Sequence, residues 1–249
     1  MIIFDFITTR TRIPRKDLDE KKIKPKRYSL KPLGDIKETR AKMNNYLQLL
    51  EEISTQVISL FIEPRVNILM YHNVEHTKTV VKRTSEIAAN YHLSETELFI
   101  LSAAAWFHDT GQLMGDADLH EHRGVILMKK FLQTKGLAKE VMNKIEGCIY
   151  ATRLPQNPKS LLEEIVCDAD TYNLGTEAFI TTDELLKKEF ELRNMPIDNW
   201  EEKTLKFLLS HNYFTTYCHA LLNKGREKNI DLVRYRVKEK TGDIIIHTG

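Results

Sequence analysis

The chain is poor in several features that would otherwise narrow its class. No apolar run approaches the roughly 20 residues of a bilayer-spanning helix. Its start, Met1-Ile2-Ile3-Phe4-Asp5-Phe6, carries an acid and has no basic region before its short apolar run. Neither a secretory leader nor a membrane anchor is expected, and cytoplasmic is the expected localisation. Ten glycines and seven prolines in 249 residues are few, which disfavours a turn-rich β architecture and fits long helices. Three cysteines, Cys148, Cys167 and Cys218, stand apart without C-x-x-C spacing. An odd, dispersed set argues against a disulfide framework and suits a reducing compartment, with each thiol read as a small buried apolar residue. The net charge is only +2, so no overall field draws the chain to nucleic acid or membrane.

What is present is mostly helical periodicity. Met43, Tyr46, Leu47, Leu50, Ile53, Val57, Ile58 and Phe61 recur at steps of three and four from a start near Asp35, and Pro64 closes the pattern. A second stretch covers about Leu69 to Tyr91. Ser94 and Glu97 form a capping box for a third, which runs apolar on nearly every side from Leu98 to Phe107, the pattern of a central buried helix. Further helices fit Leu119–Thr134, Leu137–Thr152, Ser160–Tyr172, Thr176–Asn194 and Trp200–Lys224. The two ends differ. Ile2 to Thr8 is β-branched and short. Arg10 to Pro32 holds ten Lys/Arg against three Asp/Glu, a local +7 that leaves −5 for the remainder. Leu232 to Glu239 alternates, and after Lys240-Thr241-Gly242-Asp243 comes Ile244-Ile245-Ile246-His247-Thr248, which reads as a β-hairpin. The expected organisation is an N-terminal strand-like segment and basic arm over 1–34, a helical domain over 35–228, and a hairpin tail over 229–249. The arm reads as an extended segment without its own core, a solvated linker or else a tether to an anionic partner or another subunit, and the arm or the hairpin could join copies into a homo-oligomer.

The chemistry concentrates around Trp106-Phe107-His108-Asp109-Thr110-Gly111. His76 lies 32 residues before His108, and Asp168-Ala169-Asp170 follows about 60 residues on. Imidazole nitrogen plus carboxylate oxygen is a ligand set for a divalent ion such as Mn, Fe, Ni, Zn, Co or Mg. The gaps place one ligand group on each of several helices. Adjacent His and Asp diverge on a regular helix, so both reach one ion only near a helix end, which Gly111 supplies.

In this order, Tyr71-His72-Asn73-x-x-His76, then Phe107-His108-Asp109-Thr110-Gly111, then Asp168-Ala169-Asp170 resembles the HD-domain superfamily of metal-dependent phosphohydrolases. The resemblance covers about Tyr71 to Gly175, and Lys187 to Lys224 is similar to the C-terminal helices of a bacterial subgroup that stands alone or accompanies nucleotide-cyclase modules. It implies an all-α, multi-helix HD-domain bundle, here with a small β appendage made by the terminal segments. It implies His76, His108, Asp109 and Asp170 as ligands of one ion per chain, with Asp168 beside them or competing with Asp170. Tyr-His-Asn-x-x-His is similar to the motif of cyclic-nucleotide phosphodiesterases, which makes His72 a candidate general acid, or else a helix buttress. His120, Lys82 and Arg83 are candidates for substrate phosphate. Asn73, Glu121, His122 and Thr152 are candidates for contacts to the ligands, against plainer readings as capping, solvated or backbone-satisfying groups.

The activity implied is hydrolysis of a phosphoester, of the nucleotide-like class common in the family, by metal-activated water. A non-catalytic module that senses a nucleotide or scaffolds a partner around a structural metal is the alternative. Nucleic acid as partner rests on the basic arm alone, whose sole aromatic residue is Tyr28, and no accompanying motif supports it.

Overall fold

The computed structural model describes residues 33–62, 68–115 and 117–241 of the chain, the side chains of 33–41 and 241 excepted. Nine α-helices stand among the described residues: α1 Leu33–Leu60, α2 Val74–Ala88, α3 Glu95–Phe107, α4 His120–Leu132, α5 Lys139–Ala151, α6 Leu161–Asp170, α7 Phe179–Leu192, α8 Trp200–Ser210 and α9 Thr216–Thr241. Two 3-10 turns, Thr110–Met114 and Tyr172–Gly175, follow α3 and α6. The proposed N-terminal strand, the basic arm, Pro64 and the Ile244–Thr248 segment lie outside the described residues.

α3 is the axis. Ser94 Oγ accepts from the Glu97 amide while the Glu97 carboxylate accepts from the Ser94 amide, so the capping box fixes where the helix starts. Every residue from Phe99 to Phe107 is buried, and α1, α2, α4, α5 and α6 all pack on α3. A helix apolar on all sides is stable only when neighbours surround it. Each large side chain buried there contributes about 1.5–3 kcal/mol. Tyr46 of α1 stacks on Phe99 with ring centroids 4.4 Å apart. Cys148, Cys167 and Cys218 are free and buried.

Two expectations fail at the C-terminal end. The segment from Trp200 to Lys224 is not one helix: α8 ends at Ser210, and His211–Thr215 is non-helical before α9 begins. The β appendage is also not supported, since no strand occurs among the described residues and Leu232–Glu239 is helix within α9. The alternation in that stretch is real, but Ile230 and Val233 also fall on a helical stripe. Both are buried against Leu174, Phe179 and Leu208, which gives them a partner that an isolated hairpin would lack. Close backbone contact holds α9 in place: a Cβ on Gly225 would sit 1.9 Å from the Gly175 carbonyl oxygen. No helix among the described residues is long and apolar enough to cross a membrane.

Candidate metal centre

Four elements deliver one cluster. Asn73 caps α2, its Oδ1 accepting from the amides of Glu75 and His76 at 2.9 and 3.1 Å, which sets His76 one turn into the helix. His108 is the C-cap of α3 and still helical, whereas Asp109 leaves the helix at φ −103°, ψ 0°. That change of dihedral lets neighbouring side chains converge. Asp170 comes from the last position of α6. One ligand atom from each of His76, His108, Asp109 and Asp170 lies within 4.8 Å of all the others.

The cluster's ligand atoms lie close to one another. Asp109 Oδ2 is 3.3 Å from His76 Nε2 and 3.2 Å from His108 Nε2, and Asp170 Oδ1 is 3.3 and 3.5 Å from the same nitrogens. His108 Nδ1 donates to the Ala105 carbonyl at 2.8 Å, so Nε2 is the ring nitrogen left to face the cluster. His76 Nε2, His108 Nε2 and Asp109 Oδ2 are buried with no hydrogen-bond partner. Three orphaned polar atoms facing one point are costly unless a ligand satisfies them. The donor set therefore fits a divalent ion, and the four residues could hold one. Several first-row metals accept such a mixed set.

Electrostatics in the bare cluster follow from this packing. Burial pushes the imidazoles of His76 and His108 down, but the carboxylates of Asp109 and Asp170 outweigh it and raise both, His108 well above its usual value. Burial likewise pushes Asp109 and Asp170 up, yet the adjacent histidines hold both well below the carboxylate range.

The side chains differ in access. His108 and Asp109 are 0% and 5% exposed, while Asp170, His120 and His72 are 22%, 21% and 19% exposed. Solvent therefore reaches the cluster from the Asp170–His120–His72 side. His120 Nε2 is 3.4 Å from Asp109 Oδ1 and 3.5 Å from Glu121 Oε1, and its Nδ1 donates to the Ala117 carbonyl. The turn after Asp109 sets this position, because a Cβ on Gly111 would lie 1.9 Å from the His120 carbonyl oxygen. Only glycine permits that approach. The His72 ring lies 6.0 Å from that of His76 and 6.5 Å from that of His120.

Other residues singled out in the sequence lie elsewhere. Asp168 is fully buried and points away, accepting from the amides of Phe214 and Thr215 and from the Thr215 hydroxyl at 2.9, 2.8 and 2.6 Å. Arg83 pairs with Glu86 at 2.6 Å and lies over the Tyr172 ring, and Lys82 is exposed. His122 contacts the Tyr150 hydroxyl at the surface, and the Thr152 hydroxyl donates to the Ile149 carbonyl. Sequence reasoning missed Glu189, Arg193 and Gln112, which meet beside His72. A Glu and an Arg four apart on a helix are too common to stand out. His211 is buried, and burial with the Arg226 charge pushes it down to about 4.

Comparison with known proteins agrees with this architecture. The HD-CE family profile matches residues 46–192. A Lactobacillus plantarum protein superposes with a TM-score of 0.57 at 18% identity, covering 78% of this chain and 97% of its own. Bacillus subtilis YpgQ, solved in complex with ADP, gives 0.52 at 19% identity, covering 82% and 100%. A predicted HD superfamily hydrolase from an uncultured Thermotogales bacterium gives 0.49 at 19% identity, covering 78% and 91%. No protein of curated function matches. With the profile spanning α1 to α7 and the paired histidines and aspartates gathered at their centre, the chain belongs to the HD-CE family.

Proposed function

We propose that the protein hydrolyses a phosphoester of a nucleotide-like substrate. The observation that carries this is the cluster itself: four convergent donors, three of their atoms without a protein partner, and one side open to solvent. A divalent ion held by His76, His108, Asp109 and Asp170 would supply Lewis acidity toward a phosphate oxygen and make water a stronger acid. The residues around it carry the remaining work. Asp109 Oδ1 is not shared with His76 or His108 and can take the proton of the attacking water. His72, on the open side, can give a proton to the leaving oxygen. His120, also on that side, can donate to a phosphate oxygen. Arg83, engaged with Glu86, contributes less to phosphate than its sequence position suggests, and Lys82 is the freer cation of the pair.

The nucleotide class is supported by the family and by the ADP bound in the Bacillus subtilis neighbour. The test strips the protein with chelator, restores Mn, Ni, Co, Fe or Mg singly, and offers a panel of cyclic nucleotides, nucleoside mono- and triphosphates and alarmones. Turnover is expected with at least one metal and is expected to vanish in Asp109→Ala. Tight nucleotide binding without turnover under every metal would overturn the reading and leave a sensing module.

A further inference from the structure

Glu189 lies on α7, remote in sequence from the cluster. It is 0% exposed, a position where a carboxylate is tolerated only if its lone pairs are satisfied. Oε2 accepts from the amides of Tyr71 and His72, both at 2.9 Å. Oε1 is 2.7 Å from His72 Nδ1 and accepts from Arg193 Nη1 at 3.1 Å. Burial pushes the Glu189 carboxyl up, but these hydrogen bonds and the His72 charge bring it down to about 2. An ionised carboxylate can only accept. The His72 nitrogen beside it must therefore carry a proton. Nε2 is the other ring nitrogen, and no hydrogen bond reaches it among the described residues.

Arg193 extends the arrangement. Nη1 also donates to Gln112 Oε1 at 2.8 Å, and Nη2 donates to the Gly115 carbonyl at 3.0 Å. Both acceptors belong to the turn that follows His108-Asp109. A single buried ion pair thus ties the Tyr71–His72 segment to the other wall of the open side.

We propose that Glu189 is a positioning residue that keeps the His72 proton on Nδ1 and leaves Nε2 for the substrate, with Arg193 holding the pair against the Gln112–Gly115 turn. The proposal deepens the hydrolase reading and rests on it for its catalytic half. When the imidazolium gives its Nε2 proton to the leaving oxygen, the N–H bond breaks, an O–H bond forms, and neutral Nδ1–H imidazole remains. That is the tautomer Glu189 stabilises, so the ring needs no rearrangement. Glu189→Gln reverses the preference. The amide oxygen can still accept both backbone N–H groups, but the amide nitrogen donates toward Nδ1, which must then be unprotonated.

Two readouts test this. The first needs no turnover. Long-range proton–nitrogen spectra of the full chain, with His72 assigned through His72→Asn, should show neutral His72 as the Nδ1–H tautomer, and Glu189→Gln should convert it to Nε2–H. A wild-type spectrum with Nε2–H overturns the proposal, and so does an unchanged tautomer in the folded variant. If the variant does not fold, the wild-type spectrum decides. The second readout compares Mn-loaded wild type and Glu189→Gln on two esters. With an alcohol leaving group kcat should fall about 100-fold at unchanged KM and metal content, whereas a p-nitrophenyl ester, whose leaving group needs no proton, should lose only a few-fold. Equal losses on both esters overturn the proton-donor role. Absence of wild-type turnover on either ester under every metal overturns the hydrolase reading instead, and the tautomer spectrum still decides the placement of His72.

Discussion

Asp168 and Asp170 are two residues apart, yet only Asp170 joins the cluster, and substitution should separate them. Asp168 accepts three hydrogen bonds from Phe214 and Thr215 at the break between α8 and α9. The Thr215 hydroxyl in turn accepts from the Cys218 amide at 3.2 Å, so Asp168 organises the whole start of α9. Hydrogen bonds to a charged acceptor contribute roughly 1.5–3 kcal/mol each, a gross sum of about 4.5–9 kcal/mol for the three. Two effects reduce it. Burial pushes the Asp168 carboxyl above its usual value despite those donors, so removing the charge recovers part of the loss. Asparagine also keeps one acceptor oxygen, although its amide then opposes a donor. We expect Asp168→Asn to destabilise by about 3 kcal/mol, a fall in Tm of roughly 6–12 °C for a chain of this size. Asp170→Asn should instead abolish metal retention with a smaller effect on the metal-free fold. Thermal unfolding by circular dichroism and metal content by plasma emission, both below the variants' melting temperatures, read the two effects separately. If Asp168→Asn unfolds within about 0.5 kcal/mol of wild type, or sheds metal as completely as Asp170→Asn while folded, the assignment of the two carboxylates is wrong.

Metal should stabilise the chelator-stripped protein: at a hundredfold excess over Kd the gain is about 2.7 kcal/mol, and Asp109→Ala should show no shift in a melting assay with Mn. Gly111→Ala places a Cβ 1.9 Å from the His120 carbonyl oxygen; it should cost about 1–3 kcal/mol in urea unfolding and weaken metal binding by displacing α4, and an unperturbed variant would show that the crossing is loose. The Glu189 carboxyl is depressed to about 2 in the fold. Its contribution is therefore present above the ordinary glutamate value and lost as pH falls toward 2, about 3 kcal/mol in all. Stability should decline less steeply over that window in Glu189→Gln, and urea midpoints measured from pH 5 downward would show parallel curves if the pairing were absent.

Much of the frame is local chemistry and was readable without coordinates. The capping box at Ser94–Glu97 depends on residues three apart, and the stripe from Tyr46 to Phe61 on steps of three and four. The run from Leu98 to Phe107 has no polar face to offer water, so it had to lie at the centre. His76, His108, Asp109 and the Asp168/Asp170 pair stood out because their order resembles the HD-domain pattern, and the geometry gathers His76, His108, Asp109 and Asp170 in one cluster.

What local pattern left open was every choice that turns on a distant partner. Asp168 and Asp170 are equivalent in composition; only the approach of Phe214 and Thr215, more than 40 residues away, makes the first structural. Leu232–Glu239 suits a strand as well as a helix, and the burial of Ile230 and Val233 against Leu174 and Phe179 decides for helix. Arg83 could have faced a phosphate until Glu86 and Tyr172 claimed it. His72 sits in a recognisable motif, but the atom that fixes its proton belongs to Glu189, 117 residues on. Periodicity reports which face of an element is apolar; it carries no information about which side chain from another element will meet it.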